Sequence, residues 1–472
     1  MEETIIPIEE PKRQGYFISC LNDIIQLKTM EKGRQPSYKV VTFGCQMNAR
    51  DSEKLAGILT DIGYIESETE EEADLVLFNT CTVRENANER LYGRLGQLKR
   101  SKKNNKDMLI GLCGCMMQEA EEVEKIKKSY SYVDIVFGTH NIYKLAEILY
   151  NRIENKKQVV DVIDSSKMIV ENLPSKRVYP FKSGVNITFG CNNFCTFCIV
   201  PYVRGRERSR LPEDIVAEIK SLVADGVVEV MLLGQNVNSY GRGLEKKTTF
   251  TELLAQIVKI EGLKRVRFMT PHPKDFSDDL IQLIKENPKI CRHIHLPLQS
   301  GNSKILKKMN RVYTKEQYLD LAFKIKREIQ DVSLTTDIIV GFPGETEEDF
   351  LDTLDVVEKV QYDAAFTFIY SKRSGTPAAK MELNISESEL KQRFDTLLKR
   401  VQHIAAANTA KHVDKVYEAL IETKDEQLEG YVTGRLSNNM IVHLKGEESM
   451  IGSIIKVSLD ESKGFYYMGH AI

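Results

Sequence analysis

The chain has 472 residues, 42% of them hydrophobic and 28% charged, with a net charge of −2. That length calls for two or three domains, each able to bury a core of its own. No apolar run reaches the roughly 18–20 residues of a membrane span, and the near-neutral charge argues neither for nor against a nucleic-acid partner, since a basic patch can sit on a neutral chain.

Residues 1–37 show no clear periodicity and read as a mobile extension. Their acidic, proline-broken start, MEETIIPIEEPKRQ, is unlike a signal peptide. A cytoplasmic location is therefore expected, and there nine cysteines point to metal or redox chemistry more than to disulfides.

From residue 38 to 154 strands and helices alternate. KVVTFGC is a strand ending in Cys45, followed by the helical NARDSEKLAGILTDIG. ADLVLFNTC ends in Cys81 and MLIGLCGC in Cys115, each with a helix after it. Repeated β-α units predict a parallel sheet covered by helices. Cys45, Cys81 and Cys115 then all stand at carboxyl ends of strands, the edge where such sheets bind ligands. Cysteines are common in buried strands, and one such placement means little. Three at the same topological place point to a shared metal site. Cys113 reads as a buried strand thiol or a spare ligand, and Cys20 and Cys291 as structural.

Residues 155–176 read as a polar linker. A second β-α series, 177–409, has strands at GVNITFGC, VVEVMLLGQN, KRVRFMTPH, HIHLPLQSG, SLTTDIIVGFPGE and DAAFTFIYS. Six units predict most of a barrel, whose sites lie at the carboxyl ends of its strands. The triplet Cys191, Cys195, Cys198, spaced C-x3-C-x2-C, follows the first strand. A structural zinc closes with four ligands, whereas a four-iron cluster on three cysteines keeps one iron open; the spacing alone leaves both available. Gly234, Gln235, Asn236, His272, Gln299, Ser300, Asp337 and Gly341 through Glu345 fall at the same face, as cofactor contacts or as turn residues. Arg204, Arg206, Arg208 and Arg210 alternate after the triplet, as contacts to RNA phosphate or cofactor or as a solvated charge run. Residues 410–472 are short strands with glycine turns, predicting a small antiparallel, OB-like barrel that either binds nucleic acid or caps a domain. Arg435 and Lys445 are its candidate phosphate contacts. The fold class expected is thus α/β: a parallel-sheet domain, a partial (β/α)6 barrel and a small β-barrel.

The triplet after the first strand of a six-unit barrel resembles the signature of radical S-adenosylmethionine enzymes. TFGCQMN, NTCTVRENA and GCMMQ, with CTFCIVPYVRGRERSR, LLGQNVNSYG, HLPLQSG, TDIIVGFPGET and YSKRSGTPAA, resemble the methylthiotransferase family over about residues 38–472. The tail resembles a TRAM domain. The resemblance implies two [4Fe-4S] clusters: a radical cluster on Cys191, Cys195 and Cys198, and an auxiliary one on Cys45, Cys81 and Cys115. It also implies S-adenosylmethionine as methyl donor and radical source, held among Gly234, Gln235, Asn236, Gln299, Ser300, Asp337 and Gly341. NTCTVRENA and LGQNVNSY resemble the MiaB branch, implying methylthiolation at carbon 2 of N6-isopentenyladenosine in a tRNA anticodon stem-loop. An electron-donor protein, a monomeric state and no membrane contact are expected. Other branches act on N6-threonylcarbamoyladenosine or a ribosomal-protein aspartate. The reading from another class is a non-enzymatic zinc protein that binds RNA.

Overall fold

The structure is a computed structural model that describes residues 6–82 and 88–472 in full and the backbone of 85–87. The stretch 83–87 of the motif NTCTVRENA therefore lies outside the described side chains. The chain divides into two compact units, one of residues 1–178, 189–192 and 199–208, the other of 179–188, 193–198 and 209–472.

The first unit opens with helix α1 (Lys12–Lys32) and continues through β1 (Ser37–Thr42), α2 (Gln46–Ile62), β2 (Ile65–Glu66), β3 (Leu75–Thr80), α3 (Glu85–Asn104), β4 (Leu109–Gly114), α4 (Ala120–Ser129), β5 (Ile135–Phe137), α5 (Leu145–Asn155) and β6 (Val159–Asp161). The six strands form one parallel sheet in the order β2-β1-β3-β4-β5-β6. β3 and β4 are buried at every residue, as their apolar runs require when helices cover both faces. Leu75 and Leu77 pack on one face, Val76 and Phe78 on the other.

Two expectations change here. Lys12–Lys32 is not a mobile extension but a helix that buries Phe17, Leu21 and Ile25 against α2 and α5, with Arg13 paired to Glu147 at 2.5 Å. Tyr16, Ile18 and Ile24 pack beside that buried face, but apolar residues on the exposed face, Leu27 and Met30, blur the periodicity in the sequence. Nor is 155–176 purely a linker, since Val159–Asp161 adds the sixth strand beside β5.

The second unit is built on β7 (Lys182–Asn186). The short strands β8 (Thr188–Phe189) and β9 (Arg208–Ser209) pair with each other, and α6 (Val200–Val203), between them in sequence, falls in the first unit. There follow α7 (Pro212–Ala224), β10 (Glu229–Leu233), α8 (Phe250–Ile257), β11 (Arg265–Phe268), α9 (Asp278–Glu286), β12 (His293–His295), α10 (Ser303–Lys308), α11 (Lys315–Glu328), β13 (Ser333–Val340), α12 (Glu347–Val360), β14 (Ala364–Ile369) and α13 (Glu387–Ala410). Helices α8, α11, α12 and α13 each start with a capping box, as in Thr249/Glu252 and Ser386/Glu389, which fixes where the chain turns from loop to helix. The parallel sheets β7-β10-β11 and β12-β13-β14 are joined by a bridge between Val266 and Ile290. The result is a six-stranded partial barrel whose open edges are β7 and β14.

The tail, β15 (Val416–Lys424), β16 (Tyr431–Leu436), β17 (Ile441–Lys445), β18 (Ile454–Ser462) and β19 (Tyr466–Ala471), closes into a barrel in the order β15-β16-β17-β19-β18. It is not wholly antiparallel, because β17 and β19 pair in parallel. Parity demands this: five strands in a closed ring cannot all alternate direction. The small barrel seats on the larger one through two buried arginines. Arg265 donates to the carbonyls of Arg435 and Glu418 (2.9 and 2.8 Å), Arg267 to those of Ser437 and Leu436 (3.0 and 2.7 Å), and Glu229 faces Arg267 at 3.0 Å.

Candidate functional site

In the first unit the three cysteine-bearing strands β1, β3 and β4 are immediate neighbours, because β2 is displaced to the sheet edge. Cys45 is the N-cap of α2, Cys81 follows β3 directly, and Cys115 opens a short 3-10 turn after β4. The approach is close: a Cβ on Gly44 would lie 2.6 Å from Cys81 Sγ, and Gly44 has a φ of +109°. Asn48 ties the loop ends together by donating to the carbonyls of Phe43 and Thr80, both at 2.8 Å. Its Oδ1 faces Cys45 Sγ at 4.0 Å and Cys115 Sγ at 3.8 Å.

A buried guanidinium completes this cluster. Arg204 Nε donates to Cys115 Sγ (3.2 Å), and its Nη2 donates to Asn48 Oδ1 (2.7 Å) and Asp51 Oδ2 (2.9 Å). Burial opposes the charge on Arg204, but Cys115 and Asp51 more than offset it and hold the group above its usual range. Burial also pushes the Cys115 thiol up to about 11, against the pull of Arg204. Among the described residues no three His, Cys, Asp or Glu side chains close around a single metal ion. Three thiols beside a fixed cation suit a multi-iron group, whose ligands bind separate irons and whose thiolates carry net negative charge. Cys113 points away into the core and is buried, which raises its thiol well above the ordinary range.

The Cys191, Cys195, Cys198 loop follows β8. Gly190, at φ +75°, admits no side chain, since a Cβ would fall 2.3 Å from the Arg206 carbonyl. The Cys191 amide donates to the Gly205 carbonyl at 3.2 Å. Residues 193–198 form a tight turn in which the Cys198 amide bonds the Cys195 carbonyl at 2.9 Å. Asn310 Nδ2 holds this turn through the carbonyls of Asn193 and Phe194, both at 3.0 Å. Arg311, also buried, donates to Cys195 Sγ (3.6 Å), the Pro297 carbonyl (2.8 Å) and Tyr313 Oη (2.9 Å).

The strand-end residues divide by role. Asn236 Oδ1 accepts from the His272 amide (3.2 Å) while its Nδ2 donates to Asp275 (2.8 Å). His272 is held near 2 by burial and by Arg311, so its ring is neutral. Gln299 sits at φ +69° and bridges the backbones of Asp337 and Ile339. Ser300 Oγ accepts from Asn302, and the Gly341 amide donates to Glu345 at 2.7 Å. Asp337 Oδ2 meets His295 Nε2 at 3.2 Å. Gly234 has no room for a Cβ beside Thr188, and Gln235 next to it is half-buried.

The alternating arginines do not form one surface. Arg204 is 5% exposed and therefore no phosphate contact, which corrects that expectation. Arg210 is buried against the Asn186 carbonyl and Glu218, Arg208 bonds the carbonyls of Ser166 and Met168, and Arg206 is exposed. Arg435 is engaged by Glu422 at 3.0 Å, while Lys445 is exposed. The sequence reading missed Asn48, Asp51 and Arg311. Asn48 and Asp51 sit one turn apart at the start of α2 and so share a face, a spacing that could have marked them. Arg311 carries no local signal.

Comparison with known proteins follows the same division. Residues 185–357 match the Radical SAM superfamily, and residues 37–138 match an uncharacterized protein family, UPF0004. The tRNA-2-methylthio-N(6)-dimethylallyladenosine synthase of Lachnoclostridium phytofermentans is 62% identical over 93% of this chain and 96% of its own. The proteins of the same name from Thermoanaerobacter pseudethanolicus and Clostridioides difficile are 51% and 49% identical, over 98% and 99% of this chain and 97% and 98% of theirs. Among solved structures, the radical S-adenosylmethionine methyltransferase TsrM of Kitasatospora setae shares the fold with a TM-score of 0.52 at 17% identity, covering 73% of this chain and 75% of its own. With relatives this similar along nearly the whole of both chains, the protein belongs to the family of tRNA-2-methylthio-N(6)-dimethylallyladenosine synthases.

Proposed function

We propose that the protein adds a methylthio group to carbon 2 of N6-isopentenyladenosine, the dimethylallyl-substituted adenosine beside the tRNA anticodon. Its near-full-length likeness to enzymes of that name supports the reading, and the observation that carries it is the second set of thiols converging on one sheet edge. Cys45, Cys81 and Cys115 would hold an auxiliary [4Fe-4S] cluster, and Cys191, Cys195 and Cys198 a radical one. When bound, the clusters and S-adenosylmethionine supply the electron, the radical and the methyl and sulfur atoms.

The chain's own residues position and shield. Arg204 and Arg311 each aim an N–H at a cysteine sulfur, fixing its orientation and stabilising thiolate charge. Gly234, Gln235, Asn236, Gln299, Ser300, Asp337 and Gly341 shape the strand ends against which S-adenosylmethionine would lie. Neutral His272 donates no charge there. Arg206 and Lys445 are the exposed candidates for tRNA phosphate. The enzyme acts in the cytoplasm, as a monomer served by an electron-donor protein. No helix among the described residues is long and apolar enough to cross a membrane.

The test is anaerobic reconstitution followed by mass spectrometry of tRNA nucleosides. Methylthiolation of tRNA bearing isopentenyladenosine, with little on unmodified adenosine, is expected. Activity only on threonylcarbamoyladenosine, or a colourless zinc protein with none, overturns the assignment.

A further inference from the structure

Alternation along the barrel strands sorts their side chains onto two faces. Val185, Ile294, Ile338 and Ala365 pack into the core under the helices. Their sequence neighbours Asn186, His295, Asp337 and Phe366 therefore face the lumen, as does Phe368 two residues on. The ladder sets Asp337 beside Phe366 and Ile339 beside Phe368. The His295 ring stands 5.9 Å from that of Phe366.

Two features of this lumen are unexplained by the fold. Phe366 is 55% exposed and Phe368 48%, although both sit on the inner face of a barrel strand. Asn186 is only 2% exposed, yet neither atom of its amide has a hydrogen-bond partner. Buried amides are ordinarily satisfied, and one that is not awaits a ligand or water. Because β7 and β14 are the two ends of the six-strand run, the bare phenyl rings and the unpartnered amide flank the barrel's lateral opening.

We propose that Phe366 and Phe368 form the wall that packs the dimethylallyl group and the adenine face of the substrate, with Asn186 supplying hydrogen bonds from the opposite edge. The inference rests on the substrate reading given above. Paired phenyl rings suit a base with an uncharged aliphatic branch. Charge excludes the alternative: a threonylcarbamoyl carboxylate would meet Asp337 in register with Phe366. The lumen cations Arg265 and Arg267 are already engaged by carbonyls of the small barrel.

The experiment compares reconstituted holoenzyme with its F366A/F368A and F366L/F368L variants on tRNA carrying isopentenyladenosine or plain adenosine. The readout is the ratio of kcat/KM for the two tRNAs. The alanine pair should lose at least about tenfold of this preference, because each lost aliphatic contact in a pocket costs discrimination. The leucine pair, still apolar, should keep most of it. A parallel fall on both tRNAs overturns the proposal, as does a rise confined to the KM for S-adenosylmethionine, which would assign the wall to the cofactor. If the alanine pair does not fold, the single variants F366A and F368A report the same ratio. A wild-type enzyme inactive on the isopentenylated tRNA sinks the substrate reading itself, whereas a wild-type preference that survives in the alanine variants sinks this inference alone.

Discussion

The tetrapeptide Thr-Phe-Gly-Cys occurs twice in this chain, at 42–45 and at 188–191. Both copies end a strand, both glycines take a positive φ, and both cysteines begin a thiol triad. There the likeness stops. Cys45 caps a 17-residue helix, so its partners come from two other strand ends, Cys81 and Cys115. Cys191 leads into a loop that supplies both partners within seven residues. One triad is made by sheet order and the other by a single turn. Each has recruited a buried arginine, but Arg204 also pairs with the carboxylate of Asp51, while the acceptors recorded for Arg311 besides Cys195 are a carbonyl and a phenol. A local signal can thus place a thiol, but what surrounds the thiol is settled by distant segments.

The largest effect comes from removing either triad. Alanine at Cys45, Cys81 and Cys115, or at Cys191, Cys195 and Cys198, should abolish methylthiolated product in both cases and cost about half the iron. Only the first variant should still cleave S-adenosylmethionine to deoxyadenosine under oxygen-free reduction. Loss of all iron from one variant would erase the distinction between the sites.

Next come the arginines. R204A removes the buried cation that pairs with the buried Asp51, which should destabilise the fold by about 3–5 kcal/mol. R311M removes hydrogen bonds to a carbonyl, a phenol and the Cys195 sulfur but strands no carboxylate, and should cost less, about 1–3 kcal/mol. Denaturant unfolding of the full chain checks both, and equal losses would mean the carboxylate makes no difference. The double variant R204M/D51L should recover much of the larger loss.

The most local effect is a pH response of a single carboxyl in the barrel. Burial raises the Glu345 carboxyl from its usual 4.5 to about 7, against the pull of the Gly341 amide and Arg393. The folded state therefore holds a proton that the unfolded state releases, and stability falls as pH rises through the window from about 4.5 to 7. E345Q should gain on the wild type across that window, approaching an upper bound of about 3 kcal/mol above it. Thermal melts of both proteins at pH 5 and pH 8 measure the gain. A difference independent of pH would show that Glu345 is charged throughout.

Much of this architecture was legible in local pattern. Near-continuous apolar runs with helical stretches between them implied parallel sheets, because strands covered on both faces have no polar side to show. The C-x3-C-x2-C loop needs no fold to bring its thiols together, and Gly190 and Gly44 mark turns that other residues cannot make without strain. The chain also placed Cys45, Cys81 and Cys115 at strand ends. It did not say that β2 would sit at the edge and so leave β1, β3 and β4 adjacent, since strand order depends on how distant helices share the two faces. Nor could it separate Arg204 from Arg206: two residues of the same type, two positions apart, differ only in that one meets a thiol, an amide and a carboxylate in a dry interior. The burial of one face of α1, the parity-forced parallel pair in the small barrel and the bare rings of Phe366 and Phe368 likewise arise from long-range packing. Burial and exposure are properties of what lies across the fold, and a residue's own sequence neighbours do not encode them.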